Sequence, residues 1–205
     1  MCGRFLLITD LSVVAQSFGA ADASLPFLPD RNIHPGRLIP AVIRTPRGNR
    51  LASFLWGLVP FWAKDPSIGA RLINARAETI AQKPAFQNAF RKQRCLIPAD
   101  GFYEWKKDGA SKKPFQFGLK SKELFVFAGL YERWAAAGRK PLQTCAIITT
   151  RANEVVAAVH DRMPVIIPKA AQDLWLNPEI QNPALLAEVL KPYPAEEMIC
   201  APADL

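Results

Sequence analysis

Histidine is scarce in this 205-residue chain, which carries only His34 and His160. Its four cysteines (Cys2, Cys95, Cys145 and Cys200) stand far apart and form no Cys-x-x-Cys pair. A structural zinc site needs several such ligands at close spacing, so that class is set aside and no metal or cofactor is expected. Cys95 and Cys145 lie in apolar, strand-like runs and read as reduced core residues. The chain shows no N-terminal signal pattern and no apolar stretch long enough to cross a bilayer. A reducing, cytoplasmic setting without a membrane partner is therefore expected. Internal repeats, low-complexity tracts and linkers are missing too, which points to one domain over residues 1–205.

What is present fits a folded, water-soluble protein. Half the residues are hydrophobic and 21% are charged. The formal net charge of +8 suits a polyanionic partner, although many basic proteins bind nothing anionic.

Short strand patterns alternate with short helical ones. Leu11, Val14, Ala15 and Phe18 recur at helical spacing, with Thr9 as the expected cap and Gly19 as the stop. Segments 37–44 and 51–58 read as strands joined by a turn around Pro46-Arg47-Gly48-Asn49. A helix is expected from Pro84 to about Lys92. Extended runs follow at 94–97, 101–105, 115–119, 124–130 and 144–149. Short helices are expected near 152–158, 170–176 and 183–190, with a strand at 163–167. The pattern predicts an α+β fold, a curved, mainly antiparallel sheet with a barrel-like core and short peripheral helices.

Four clusters carry candidate chemistry. Cys2-Gly3-Arg4-Phe5 follows Met1 directly, and removal of Met1 would leave a 1,2-aminothiol. Its amine, with a reference pKa of about 7.7–8.0, and its thiol are nucleophiles on adjacent carbons. Together they can trap an aldehyde as a five-membered thiazolidine, or attack an amide. Cys2 can equally be the small hydrophobe that opens a buried strand. In Asn74-Ala75-Arg76-Ala77-Glu78, residues two apart share a face of an extended chain. Asn74 and Arg76 can thus enter one cleft, the amide orienting an amine and the guanidinium holding a phosphate. Glu78 reads equally as the cap of a following helix. Glu104, between Tyr103 and Trp105, is a candidate acid or base with a raised pKa, or a solvent-facing strand residue. His160, beside Asp161 and Arg162, is a candidate proton shuttle or a structural histidine.

Taken together, these clusters resemble one family. Cys-Gly-Arg-Phe after Met1, Asn-Ala-Arg-x-Glu-Thr, Ala-Asp-Gly-Phe-Tyr-Glu-Trp and His-Asp-Arg-Met-Pro occur in the order and rough spacing of the SOS response-associated peptidase (SRAP) family. The stretch Trp56-Gly57-Leu58-Val59-Pro60-Phe61-Trp62 is similar to that family's Trp-Gly-x-x-Pro-x-Trp. The resemblance spans nearly the whole chain. It departs at the end, where the family continues through a closing segment containing Val and Asn and this chain stops at Leu205.

The resemblance implies a monomeric sensor of abasic sites in single-stranded DNA, linked covalently to the ring-opened sugar through a thiazolidine. By motif matching, Cys2 is the nucleophile, Asn74 positions its amine, and Glu104 and His160 handle protons. Arg4, Arg76 and Arg162 would grip phosphates, and Trp62 and Trp105 would stack on bases or pack in the core. A peptidase-like, autoproteolytic activity and strand cleavage by an abasic-site lyase side reaction come with the family. Two other classes use the same residues: a thiol-dependent peptidase or amidohydrolase with other substrates, and a noncatalytic single-strand-binding module for which Cys2 is dispensable.

Overall fold

The alternating run after Arg37 forms β3 (Leu38–Thr45), which pairs antiparallel along its whole length with β4 (Gly48–Trp56). Gly48 closes the turn at φ +107°, a backbone that other residues rarely enter. The computed structural model describes residues 2–20, 25–109, 111–138 and 140–205. On its other edge β3 pairs with β6 (Arg94–Ala99), and β6 pairs with β9 (Phe125–Trp134). β9 in turn pairs antiparallel with β10 (Leu142–Arg151). The ring closes where β10 runs parallel to the end of β4, at Thr144↔Leu55 and Cys145↔Trp56. Closure removes the open edges that a curled sheet would otherwise expose.

Past that seam β10 acquires new neighbours. β5 (Asn74–Arg76) joins it in parallel at Ile147–Thr149, and β11 (Arg162–Pro164) joins it antiparallel at Thr149–Arg151. A second sheet has the order β12-β8-β7-β1-β2. Its strands are β1 (Phe5–Leu7), β2 (Asp30–Ile33), β7 (Gly101–Asp108), β8 (Ser111–Leu119) and β12 (Met198–Pro202). The two sheets share one apolar core. The Phe5 ring meets Trp56 at 5.4 Å and Phe127 at 5.7 Å, both edge-on, and Phe102 stacks on Phe117 at 5.0 Å. Such pairs add about 0.5–1.5 kcal/mol each beyond area burial. Cys95 and Cys145 are buried free thiols.

The helices are short and peripheral: α1 (Leu11–Ser17), α2 (Gln87–Lys92), α3 (Glu154–Ala157), α4 (Gln172–Leu176) and α5 (Pro183–Glu188). The fold is the expected α+β, mainly antiparallel and barrel-like, with two parallel contacts of β10 as the exceptions. Three local expectations are corrected. Asp10, not Thr9, caps α1 by accepting from the Ser12 amide, because Thr9 gives its amide and hydroxyl to Asp100. The helix expected from Pro84 begins at Gln87, after turns. No helix follows Glu78, where residues 77–82 form turns.

Candidate active site

β1 and β7 run antiparallel with Phe5 opposite Phe102 and Leu6 opposite Gly101. The Tyr103 amide donates to the Arg4 carbonyl at 3.0 Å, extending the pairing toward Cys2. Asp100 fixes this register. Its carboxylate accepts from the Ile8 and Thr9 amides at 2.6 and 2.8 Å and from the Thr9 hydroxyl at 2.6 Å. Gly101 is required sterically, since a Cβ there would lie 2.6 Å from Leu6 Cδ2 and 2.9 Å from the Phe117 carbonyl oxygen. Within Asp100-Gly101-Phe102-Tyr103-Glu104, the first three residues therefore build the frame that holds the carboxylate.

Glu104 is 2% exposed. It was expected between Tyr103 and Trp105, but strand alternation sends those side chains to the opposite face. Glu104 shares a face with Phe102. Burial pushes its carboxyl above the ordinary carboxylate range, with the nearby His160 partly offsetting the rise. Cys2 is fully buried, and its thiol faces the Arg4 carbonyl at 4.0 Å. Burial raises the thiol pKa and the Glu104 charge adds to the rise, so the sulfur rests as a thiol.

His160 brings the solvent to this pair. Its Nε2 lies 4.0 Å from Glu104 Oε2, close enough for one oxygen to hydrogen-bond both at ~2.8 Å each. Nδ1 has two neighbours at 3.0 Å, the Arg162 amide nitrogen and Asp161 Oδ1. They make opposite demands, since the amide can only donate and a carboxylate only accept. The amide governs the neutral ring because its hydrogen is fixed by the backbone, whereas the Asp161 side chain is 87% exposed. Neutral His160 therefore carries its proton on Nε2, toward Glu104.

Asn74 lies on β5, at the Ile147 position of β10. Its Nδ2 donates to the Ile147 carbonyl at 3.5 Å, while its buried Oδ1 has no hydrogen-bond partner among the described residues. An unfilled acceptor on a half-buried amide suits an incoming N–H donor.

The cationic and aromatic candidates differ in their engagements. Arg4 donates to Asn32 Oδ1 at 2.5 Å. Arg76 is exposed on β5, and no side-chain hydrogen bond or ion pair engages it among the described residues. Arg162 is 11% exposed and forms a two-pronged pair with Glu78, at 2.6 and 3.0 Å. Glu78 is thus an ion-pair partner, not a helix cap. Trp105 is half-buried, with Pro114 of β8 as its register partner. Trp62 is 49% exposed, its indole N–H donates to the Pro84 carbonyl at 3.4 Å, and it lines an open groove of about 610 Å³ with Phe61, Arg91 and Lys92.

Among the described residues no group of three or more His, Cys, Asp and Glu is placed to hold a metal ion, and no helix is long and apolar enough to cross a membrane. The arrangement instead offers a thiol, a carboxyl with raised pKa and an imidazole of defined tautomer, assembled from three distant segments. The role of Asp100 and the Glu78–Arg162 pair escaped the sequence reading; each lay inside a recognised motif, but neither partner lay within reach of a local pattern.

Comparison with known proteins covers nearly the whole chain. Abasic site processing protein YoqW of Bacillus subtilis (strain 168) is 46% identical over 202 residues, covering 97% of this chain and 90% of that protein. Abasic site processing protein YedK of Escherichia coli (strain K12) is 30% identical over 197 residues, 89% of this chain and 82% of that one. A crystal structure of a protein from Bacteroides thetaiotaomicron matches with a TM-score of 0.92 at 28% identity, over 99% of this chain and 92% of that one. The model of the SOS response associated peptidase (SRAP) family matches residues 1–204, and the chain belongs to that family.

Proposed function

We propose that this protein captures abasic sites in single-stranded DNA as a covalent thiazolidine on Cys2, once Met1 has been removed. The observation that carries the reading is the convergence of buried Cys2, buried Glu104 and His160 on one end of the β1–β7 pair. The relatives named as abasic site processing proteins support the substrate.

An abasic sugar rests mainly as a closed hemiacetal. Opening it breaks the bond from C1 to the ring oxygen, removes the proton of the C1 hydroxyl and protonates the ring oxygen. His160 Nε2–H supplies that proton and the C1 hydroxyl proton returns to Nε2 through water, so the ring ends neutral; acid–base help of this kind is worth about 10²–10⁴-fold. The Cys2 α-amine, oriented by Asn74 Oδ1, then adds to the aldehyde carbon, and loss of water gives the imine. Because burial keeps the sulfur protonated, the amine acts first. The sulfur adds next to the imine carbon, and its proton passes through Glu104 to the nitrogen. The net change is one water released for each thiazolidine formed.

A chain stalled at the imine favours β-elimination and strand cleavage, so lyase activity is a side reaction of the same site. The peptidase in the family name fits attack of the Cys2 thiol on the Met1 carbonyl, followed by hydrolysis. The exposed Arg76 would hold a flanking phosphate, and Trp62 a flanking base. The protein would act as a monomeric, single-domain unit.

Denaturing electrophoresis with an abasic single-stranded oligonucleotide tests the proposal. Wild-type protein should stay bound to the strand after denaturation, and Cys2→Ala should not. Equal retention by Cys2→Ala would move the covalent link to another nucleophile, and no retention by the wild type would leave a binding module.

A further inference from the structure

We propose that Glu78 is a positioning residue that, through Arg162, sets the tautomer and placement of His160; this rests on the reading of the site given above. The Glu78 carboxylate takes both terminal nitrogens of Arg162, at 2.6 and 3.0 Å. The second of these nitrogens also donates to the Thr149 carbonyl at 2.7 Å. That same carbonyl accepts from the Ala77 amide at 2.9 Å, so its two lone pairs are shared between the strand end of β5 and the side chain of Arg162. The backbone amide of Arg162 donates to His160 Nδ1 at 3.0 Å. One ion pair thereby ties the segment bearing Asn74 to the segment bearing His160, on the two flanks of β10.

The clamp matters because Arg162 sits where the strand pairing ends. It is the first residue of a three-residue strand, and its ladder partner Arg151 is the last residue of β10. The side chain is 11% exposed, and its Nε is buried without a hydrogen-bond partner among the described residues, so burying it is costly unless the other two nitrogens are satisfied. The Arg162 hydrogen bonds hold the Glu78 carboxyl below its usual range, which keeps the pair ionised through neutral pH. Among the described residues, Glu104 from β7, Asp161 and the Arg162 amide face the His160 ring. If the amide shifts, Asp161 is left to bind Nδ1, and it demands a proton there. The neutral ring then moves its proton from Nε2 to Nδ1 and presents a lone pair, not a donor, toward Glu104 and the sugar.

The test uses Glu78→Gln and Arg162→Lys, which keep size or charge but lose the ionic fork. Long-range ¹H–¹⁵N NMR of the free protein reads the tautomer directly. Neutral His160 should be protonated on Nε2 in the wild type and of mixed tautomer in both variants. At saturating abasic single-stranded DNA, both should crosslink ~10-fold more slowly, a part of the ~10²–10⁴-fold that a placed acid–base group supplies. A wild-type tautomer in Glu78→Gln overturns the proposal, as does a shifted tautomer with wild-type rate. If Arg162 serves only to grip phosphate, Glu78→Gln instead binds DNA more tightly and reacts at the normal rate. Should the wild type form no crosslink, the proposed function fails, while the tautomer measurement still decides on the clamp.

Discussion

Phe5 of β1 stands opposite Phe102 of β7, and this single pairing carries Cys2 and Glu104 to the same end of the sheet. The two aromatic residues belong to the core, yet they set the register on which the site depends. A slip of one residue would send Glu104 to the face now held by Tyr103 and Trp105. The register is locked beside that pair by Asp100, which binds the backbone after β1, and by the close approach at Gly101.

Gly101→Ala should therefore destabilise the fold and weaken the site together. The added Cβ meets Leu6 and the Phe117 carbonyl below 3 Å. Overpacking of this kind costs about 1–3 kcal/mol, and the contact with backbone allows little relief. Chemical denaturation should show a lower midpoint. An unchanged midpoint would mean that the strands separate freely at this point.

Glu104→Gln should stabilise the protein near neutral pH. Burial raises the Glu104 carboxyl in the folded state, so the folded protein binds this proton more tightly than the unfolded one. Stability is then fully present below the unfolded value of about 4.3 and is lost as pH rises through the folded value. A neutral amide avoids that loss. The melting temperature of Glu104→Gln should exceed the wild type at pH 7 and converge with it in acid. A lower melting temperature at pH 7 would show that ionised Glu104 is a net stabiliser.

How much of this was legible in the sequence follows from the range of each interaction. The β3–β4 hairpin was readable because its alternation and its turn residues are local. The closure of the barrel at Cys145↔Trp56 was not, since no local pattern announces which distant strand will lie parallel. Cys2, Asn74, Glu104 and His160 were legible as motif residues, and the fold brings Glu104 and His160 within 4.0 Å. Glu78 was misread because its partner Arg162 lies 84 residues away, while a helix cap is decided by near neighbours. The same holds for Thr9, drawn from the helix start by Asp100.

Salt dependence should separate the arginines. Arg76 is exposed and without an ion-pair partner among the described residues, whereas Glu78 occupies Arg162. Arg76→Gln should reduce the slope of log K against log salt by ~0.7 for one lost phosphate contact on single-stranded DNA. Arg162→Gln should change it less. Equal loss of slope in both variants would mean that Arg162 leaves Glu78 when DNA binds.

An uncleavable N-terminal extension should abolish crosslinking while leaving noncovalent DNA binding intact. The proposed reaction needs the free α-amine of Cys2, and an extension keeps it as an amide. Intact-mass measurement of the untagged protein should show Met1 absent. Full crosslinking by a chain verified to retain its extension would exclude the aminothiol route and leave only the sulfur as nucleophile.

The two proton-transfer groups should separate kinetically. Glu104 is buried against Cys2, and its charge acts on the thiol, so it belongs to the amine and imine steps. His160 is the more exposed of the two and directs Nε2–H outward from the Arg162 amide, so it belongs to the opening and closing of the sugar. An acid–base catalyst lowers one barrier from both sides. His160→Ala should thus slow crosslink formation and release by the same factor, within the ~10²–10⁴-fold range of such groups. Glu104→Gln should slow capture and also reduce strand cleavage, which passes through the imine. A time course on abasic single-stranded DNA, following crosslink, release and cleaved strand separately, resolves the two. If His160→Ala formed and released the crosslink at wild-type rates, the ring would be a structural support and ring opening would have to draw its proton from Glu104 or solvent.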